Sequence, residues 1–365
     1  MENLSATNRT KKLALVVSLI ATSPFTLAND SNLSTEIERL SETFLNSDPS
    51  PGVAVTVVKD FNVIVNKGFG LAEVEHNVKT TNKTIFRVGS LTKQFTAAGI
   101  LKLAEEGKID LDSPIKTYLK DYPSTSSLVT VKHLLNHTSG IPSYTDLGDT
   151  FWKHLRKDHS HQEMLDYFKD KELDFTPGQE FAYNNSGYYL LGMIIESVSG
   201  KSYAQYIQEE FSEPLGLVNT ALCNDSKIVN NRASGYTLKD EKLHNADLAS
   251  MTQPFSAGAL CSTAEDIINW TMDLTHGEVV SKSSYNLMTQ NTVLNDQSIE
   301  TYGYGLNLTP YNDEDMISHS GGMIGFNAFA LYLPKHDSYI SVLTNSDHGD
   351  SRKLALQIVD LIVKD

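Results

Sequence analysis

Strand-forming segments lie near both ends of this chain of 365 residues, and helical patterns fill the stretch between them. Two β-rich runs, Val53–Val58 and Val63–Phe69, flank Lys59–Asn62 and predict a hairpin. The last third carries further strand signals in YGYGLNL, DMISHS, NAFALYLP and SYISVLTNS. Strands at both ends with helices between them indicate an α+β fold, in which one antiparallel sheet is built from the two ends of the chain.

The middle of the chain shows the spacing of helices that pack in a core. Apolar residues recur at helical intervals within residues 95–104 and 188–198. Helices are also expected near the two ends, at Leu33–Leu45 and Arg352–Val363.

This arrangement divides the chain into two lobes. We predict an α/β lobe from residues 33–85 and 300–365, and an all-helical lobe from residues 86–299. A cleft between lobes is a usual place for a ligand, so a small-molecule or short peptide substrate is expected there.

The N-terminus has the pattern of a secretory signal. Basic residues precede the apolar run Leu13–Ile20, and small residues at Thr26 and Ala28 predict cleavage after Ala28. The run is about half as long as a bilayer-spanning helix, which disfavours a membrane anchor. We therefore predict a signal peptide over residues 1–28, a periplasmic or secreted domain over residues 29–365, and no membrane span after cleavage.

Charge and cysteine content narrow the class of protein. The formal net charge of −15 provides no excess of Lys and Arg to neutralise phosphates, so no nucleic-acid partner is expected. Composition predicts no particular oligomeric state.

Only Cys223 and Cys261 occur, and in an exported chain such a pair is a disulfide candidate. Closing that loop would contribute about 4 kcal/mol to the free energy of unfolding; two buried free thiols are the alternative.

The pattern Ser-x-x-Lys occurs twice, at Ser90–Lys93 and at Ser113–Lys116, and the surrounding residues distinguish the copies. Ser113 precedes Pro114 and a helical pattern, so it is predicted to be a structural N-cap with proline at the first helical position. Ser90 follows a glycine and opens a strongly apolar helix, where backbone N–H groups are unsatisfied.

Ser90 and Lys93 have the spacing of a nucleophile and its proton acceptor. Positions i and i+3 share a helix face, and helical side chains lean toward the N-terminus, so Lys93 is expected to reach the Ser90 hydroxyl. The positive end of the helix favours an alkoxide and disfavours an ammonium, which suits a serine nucleophile with a neutral lysine base. The alternative is that Ser90 is a plain helix cap.

A proton relay to a leaving group is expected from FAYNNSGYYLLG. This segment places Tyr183 and Asn185 directly before an apolar helix. The charge of an adjacent lysine is expected to lower the tyrosine pKa and make the phenol a better base. The alternative is that Asn185 or Ser186 caps the helix and Tyr183 only packs.

A third segment, ISHSGGMIGFNA, contains several small residues at the end of a predicted strand, where glycines let a ligand approach the backbone closely. The segment partly matches the nucleophile-elbow motif G-x-S-x-G. However, Ser318 occupies the position of the first glycine, and no βα alternation surrounds the segment. The α/β-hydrolase interpretation is therefore rejected.

In this order, the motifs Ser-x-x-Lys, Tyr-x-Asn and His-x-Gly resemble those of the serine β-lactamase and penicillin-binding-protein superfamily. The most similar branch contains class C β-lactamases, D,D-carboxypeptidases, D-aminopeptidases and related esterases. The likeness extends from Pro51 to Val342 and includes LLNHTSGIPSY, NRASGY and GALCSTAEDIINW. It implies a β-lactamase/transpeptidase-like fold, with an antiparallel sheet flanked by helices beside an all-helical lobe.

The resemblance also implies roles for the matching residues. Ser90 would be the acylated nucleophile and Lys93 its proton acceptor. Tyr183 would carry the proton to and from the leaving group, and Asn185 would bond the substrate amide.

By the same resemblance, His319, Ser320 and Gly321 would form a strand edge that docks the substrate. The backbone N–H groups of Ser90 and Gly322 would make the oxyanion hole, which is typically a large catalytic contribution.

One position departs from many β-lactamases, which carry a lysine where His319 stands. An ordinary histidine is mostly neutral at pH 7, so carboxylate recognition would be weakened or pH-dependent. If His319 binds a carboxylate as imidazolium, activity on acidic substrates should improve below about pH 6.5. No glutamate is evident that would activate a deacylating water in the class A manner.

Other histidines raise the question of a metal. His133 and His137 are spaced i and i+4, but the zincin pattern needs Glu directly after the first histidine, where Leu134 stands. His154, His159 and His161 also cluster in the sequence, but no third ligand of matching spacing stands out. We predict structural or surface histidines, no metal and no cofactor.

The combined interpretation is an exported serine hydrolase that works through an acyl-enzyme on Ser90. The favoured activity is that of a D,D-peptidase or D-amino-acid peptidase. The alternatives are a carboxylesterase on small esters, a β-lactamase, and a penicillin-binding module that acylates slowly.

Overall fold

The computed structural model of the protein describes residues 24–123 and 128–364, with side chains from residue 31 onward. Residues 1–23, which hold most of the predicted signal peptide, lie outside the described residues. Within the part that is described, no helix is both long and apolar enough to cross a membrane.

A six-stranded antiparallel sheet is built from strands near both ends of the chain, which confirms the predicted α+β fold. In spatial order its strands are β11 (Ile317–Met323), β12 (Phe326–Leu333), β13 (Ser338–Thr344), β1 (Gly52–Lys59), β2 (Asn62–Glu73) and β3 (Val78–Lys79). In the centre, Val55 pairs with Val342 of β13 and with Lys67 of β2. The strand nearest the N-terminus therefore joins the two halves of the sheet.

Helices cover the sheet, because alternate residues of its central strand are apolar on both faces. Val53, Val55 and Val57 contact the core made with α1 (Pro24–Ser47) and α11 (Ser351–Lys364), whereas Ala54 faces the core of the helical part. The other helices are α2 (Thr92–Glu105), α3 (Val131–Leu135), α4 (Asp149–Trp152), α5 (His161–Leu165), α6 (Asn185–Ser199), α7 (Tyr203–Ile207), α8 (Phe255–Gly258), α9 (Ala264–His276) and α10 (Lys282–Met288). The short strands are β4 (Phe86–Arg87), β5 (Ala221–Leu222), β6 (Tyr236–Lys239), β7 (Lys242–Asn245), β8 (Leu260–Ser262), β9 (Thr292–Val293) and β10 (Ile299–Glu300).

Helix α2 is buried on almost all sides. It packs against α6 and α8, and Phe95 stacks on the fully buried Trp270 of α9 with 3.7 Å between ring centroids. A helix surrounded in this way has little freedom to shift. Side chains on its first turn are therefore held in fixed positions.

A disulfide joins Cys223 to Cys261, with 5.1 Å between the Cα atoms. Cys261 lies in β8 and pairs with Arg87 of β4, the strand that leads into the Ser90 turn. A disulfide of this kind is typical of proteins that function outside the cytoplasm.

Two local predictions are wrong. The segment YGYGLNL forms isolated bridges instead of a strand, because Gly305 has a φ of +71° and turns the backbone. Ser113 does not cap a helix, because only a single 3-10 turn follows, at Ile115–Thr117. Its hydroxyl donates instead to Asp110 Oδ2, at 3.0 Å.

Candidate active site

Ser90 lies in a 3-10 turn, Gly89–Leu91, between β4 and α2. The Val88 N–H donates to the carbonyl of Leu260 at 3.0 Å, which holds the turn against β8. Thr92 Oγ1 donates to the carbonyl of Gly89 at 2.7 Å and accepts the N–H of Leu260 at 3.1 Å. These bonds fix the entry to α2 and place Ser90 at the positive end of that helix.

Lys93 is fully buried on the first turn of α2. Its Nζ lies 3.1 Å from Ser90 Oγ, 2.8 Å from Asn185 Oδ1 and 2.8 Å from the carbonyl of Ala257. Burial lowers the pKa of Lys93 well below its ordinary value. A neutral amine has two N–H groups and one lone pair, so it donates to Asn185 and Ala257 and accepts from the Ser90 hydroxyl.

The cap of α6 is Asn184, which was not among the caps considered from the sequence. Its Oδ1 accepts the N–H of Gly187 at 2.7 Å. Asn185 is therefore free to face Lys93, and its Nδ2 donates to Thr145 Oγ1 at 3.1 Å. Asn184 therefore caps the helix, and the next residue, Asn185, contacts the lysine.

Tyr183 stands over Lys93, with 4.7 Å from the lysine Nζ to the ring centroid. Desolvation raises the Tyr183 pKa, and a hydrogen bond with Ser90 lowers it in part. Because 40% of the residue remains exposed to the cleft, solvent limits the size of that rise. The expectation that a lysine charge lowers this pKa is wrong, because the buried Lys93 is itself held neutral.

Strand β11 approaches the Ser90 turn so closely that only glycines fit. A Cβ on Gly321 would lie 2.0 Å from the carbonyl of Val88 and 3.3 Å from the Ser90 nitrogen. Gly89 has a φ of +52°, and a Cβ there would lie 2.8 Å from the Gly322 nitrogen. The backbones of Ser90 and Gly322 therefore border one opening, which is the arrangement that the predicted oxyanion hole needs.

His319 is buried, and both of its ring nitrogens are already bonded. Nδ1 lies 2.6 Å from the carbonyl of Ser320, and Nε2 lies 2.9 Å from the Tyr302 hydroxyl. Burial lowers the pKa of His319 to about 4. The interpretation of His319 as an imidazolium that binds carboxylates below pH 6.5 is therefore wrong.

Two cavities flank this group of residues. The main cavity has a volume of about 420 Å³, and Trp152 stands at its rim with 45% of its surface exposed. Ser90, Asn185 and Gly322 lie along it, and most of its wall is apolar: Tyr144, Phe151, Trp152, Leu155, Pro254, Met323, Ile324 and Phe326. The side cavity, of about 290 Å³, is more polar and is lined in part by Tyr183, Tyr302, Asn307, Thr309, Ser320 and Arg352.

Several residues of the site were not predicted from the sequence. Asp347 lines the main cavity and Arg352 the side cavity, yet neither belongs to a recognisable motif. His137, considered above as structural or surface, is 1% exposed and bonds Tyr302 at 3.2 Å. The repeated pairing of buried histidines with tyrosine hydroxyls is visible only in three dimensions.

Three other histidines considered from the sequence have structural partners. His133 takes part in the capping box of α3, His159 bonds Tyr167, and His161 bonds Tyr189 and Glu196. Among the residues described by the structure, no group of three or more His, Cys, Asp or Glu side chains could hold a metal ion.

Comparison with known proteins places this chain in a family. The family model described as Beta-lactamase matches residues 37–364. Protein flp of Staphylococcus aureus (strain N315) is 31% identical over 330 residues, which cover 87% of this chain and 64% of that protein's length. Among solved structures, the octameric penicillin-binding protein homologue from Pyrococcus abyssi is 30% identical, with a TM-score of 0.81. The match covers 91% of this chain and 77% of the homologue's chain. A D-stereospecific amidohydrolase from Streptomyces is 26% identical with a TM-score of 0.76, covering 88% and 97%. The family model matches nearly the whole described chain, and the solved structures share its fold. The protein therefore belongs to the beta-lactamase family.

Proposed function

We propose that the protein is a serine hydrolase that forms an acyl-enzyme on Ser90 and acts on short peptides or amides of D-amino acids. The observation that carries the proposal is the buried Lys93, with its Nζ 3.1 Å from Ser90 Oγ. An uncharged lysine in contact with a serine at a helix N-terminus is suited to act as a base. The similarity to a D-stereospecific amidohydrolase supports the choice of D-configured substrates.

Acylation begins with attack of Ser90 Oγ on the substrate carbonyl carbon. The hydroxyl proton passes to the lone pair of Lys93, and the backbone N–H groups of Ser90 and Gly322 stabilise the oxyanion. When the carbon–nitrogen bond breaks, the leaving amine takes a proton from the Tyr183 hydroxyl, and Lys93 returns its proton to the tyrosine. The products of this half-reaction are the free amine and an ester on Ser90.

Deacylation repeats these steps with water as the nucleophile. Water attacks the ester carbonyl and gives up a proton to the Tyr183–Lys93 pair, and Ser90 leaves as a hydroxyl. The carboxylic acid is released and the starting protonation of the site is restored. A raised Tyr183 pKa suits this role, because the phenol stays protonated until the amine departs.

The two cavities suggest how a substrate is oriented. The apolar main cavity suits an aromatic or aliphatic side chain on the acyl residue, and Asp347 there offers a carboxylate to its free ammonium. The side cavity begins at Tyr183, where the leaving group departs, and contains Arg352, which could bind a terminal carboxylate. A D-dipeptide with both ends free fits this distribution of charge.

We also propose that the protein works outside the cytoplasm, as a periplasmic or secreted enzyme. The Cys223–Cys261 disulfide supports this, together with the predicted signal peptide. Detection of the mature protein in a periplasmic or culture fraction, with its N-terminus determined by mass spectrometry, would test it.

A substrate panel tests the proposed function. Purified protein should hydrolyse a D-Phe-D-Ala dipeptide faster than L-Phe-L-Ala, with a burst equal to one acyl group per Ser90. N-acetylation should raise KM if Asp347 binds the ammonium, and C-terminal amidation should raise KM if Arg352 binds the carboxylate. Equal turnover of the D- and L-dipeptides, or faster turnover of a cephalosporin than of every D-peptide, would contradict the proposed substrate class.

A further inference from the structure

We propose that His137 is a positioning residue that sets Tyr183 and strand β11 relative to each other, through Asn184 on one side and Tyr302 on the other. This inference rests on the proposed function, because it concerns residues assigned there to proton transfer and substrate docking. It is carried by a continuous series of hydrogen bonds among buried side chains.

The first half of the series joins His137 to the tyrosine motif. Its backbone carbonyl accepts the N–H of Ala182 at 3.0 Å, and its ring Nδ1 accepts the N–H of Asn184 at 3.0 Å. Between these two bonds, the ring packs against Tyr183 with 4.4 Å between centroids. The residues before and after Tyr183 are thus both held by one histidine.

The second half joins His137 to the strand that borders Ser90. His137 Nε2 lies 3.2 Å from the Tyr302 hydroxyl, and that hydroxyl lies 2.9 Å from His319 Nε2. His319 Nδ1 then lies 2.6 Å from the carbonyl of Ser320. Tyr302 and both histidines are at most 5% exposed, so water does not compete for these bonds.

Hydrogen-bond complementarity gives the series a single direction. The Asn184 N–H can only donate, so His137 Nδ1 accepts and its Nε2–H donates to Tyr302. The Ser320 carbonyl can only accept, so His319 Nδ1 carries hydrogen. Because burial lowers the His319 pKa, the ring is neutral, and its Nε2 accepts the Tyr302 O–H. The two histidines are therefore neutral and adopt opposite tautomers. Burial lowers the pKa of both, which agrees with this assignment.

The backbone at His137 is a second, independent observation. Its φ is +61°, in the left-handed region that a non-glycine residue adopts at an energetic cost. Such strain persists where surrounding contacts require it, and it is concentrated at functional sites. A glycine or asparagine would satisfy the turn at lower cost but would lack a ring nitrogen that reaches Tyr302.

The first test reads the tautomers directly in the intact protein. With ¹⁵N-labelled histidine at pH 7, long-range ¹H–¹⁵N spectra should show His137 protonated at Nε2 and His319 at Nδ1. The signals are assigned by their loss in His137→Asn and His319→Gln. An Nε2–H tautomer at His319, or a charged ring at either position, would overturn the proposal whatever the activity of the enzyme.

The second test separates the two halves of the series. His137→Asn tolerates the positive φ and keeps an acceptor near the Asn184 N–H, but it loses the link to Tyr302. Tyr302→Phe keeps the ring and removes the hydroxyl. Each should lower kcat on the D-dipeptide between about 10-fold and 100-fold, as expected for small displacements of reacting groups, with KM little changed. The double variant should be no slower than the slower single variant, because both break one series.

Tyr167→Phe is the matched control. It removes a hydroxyl that bonds another buried histidine, His159, at 3.1 Å, outside both cavities. Its kcat should change less than about twofold. Equal losses in Tyr302→Phe and Tyr167→Phe, or additive losses in the double variant, would overturn the positioning role. Continued labelling of Ser90→Ala by a fluorophosphonate would defeat the proposed function instead, while the tautomer result would still stand.

Discussion

The two Ser-x-x-Lys segments share a pattern and differ in the properties that decide reactivity. Lys93 is fully buried and its Nζ contacts three oxygens, one of them Ser90 Oγ. Lys116 is exposed within the turn Ile115–Thr117, and the Ser113 hydroxyl donates to Asp110. One copy is enclosed in the core of the helical part, and the other lies on the surface.

The difference shows what the spacing alone provides. Positions i and i+3 face each other only where the helix continues, and α2 runs for 14 residues whereas the second copy has a 3-residue turn. Spacing alone does not change the lysine pKa, whereas burial lowers it and so favours the neutral amine. A serine becomes a candidate nucleophile when both conditions hold.

The largest expected effect comes from removing either member of the buried pair. Ser90→Ala should abolish labelling by a fluorophosphonate, and Lys93→Met should lower kcat/KM by about 10³-fold or more. Intact mass and turnover of a D-dipeptide measure the two effects. Ser113→Ala and Lys116→Met are the matched controls, and loss of labelling in either would break the comparison.

The next effect concerns the proton relay. Tyr183→Phe keeps the ring beside Lys93 and removes the hydroxyl, so kcat should fall about 10²- to 10⁴-fold. Single-turnover kinetics with an ester and an amide measure it. The amide should suffer more, because an amine leaves only with a proton; equal losses for both substrates would assign Tyr183 to binding.

The pH profile sharpens the contrast between a buried and an exposed lysine. Because burial depresses the Lys93 pKa, the base is neutral above that pKa and becomes protonated below it. The kcat/KM should therefore be flat through neutral pH and decline on the acid side. A profile that instead rises steadily up to pH 10, as for an ordinary lysine, would show that Lys93 stays charged.

Burial of titratable groups around Ser90 should also appear in stability. The pKa of His319 is about 4 in the folded protein and 6.5 when unfolded, so the unfolded chain binds more protons between these values. The free energy of unfolding should fall by up to about 3 kcal/mol as pH is lowered from 6.5 to 4. Urea titrations of the wild type and His319→Gln measure it, and an equal pH dependence in both would contradict it.

The smallest effect is expected at the exposed copy. Ser113→Ala removes one surface hydrogen bond to Asp110 and should lower the free energy of unfolding by less than about 1 kcal/mol. Thermal melts measure it. A larger loss would mean that this turn contributes more to folding than its contacts indicate.

Much of this site could be predicted from the sequence because its motifs are local. Lys93 lies three positions from Ser90, so helix geometry relates that pair. Asn185 opens α6 two positions after Tyr183, so those two residues are close along the chain. The sheet was predictable for a similar reason, because strand periodicity at Val53–Val58 is a short-range signal.

The rest depends on contacts between distant segments. His137 and Tyr302 are 165 positions apart, and the apolar wall of the main cavity brings together Trp152, Pro254 and Phe326. The pKa values of Lys93 and His319 depend on burial, which spacing does not reveal. An ordinary histidine pKa therefore suggested weakened or pH-dependent carboxylate recognition, where the structure has a closed series of hydrogen bonds.

The positions of the two tryptophans provide natural optical reporters. Trp270 is stacked on Phe95 in the interior, so its emission should respond to global unfolding. Trp152 stands at the rim of the main cavity, so its emission should respond to an occupant there. Trp152→Phe would separate the two signals, and ligand binding and denaturation could then be followed by fluorescence without an attached dye.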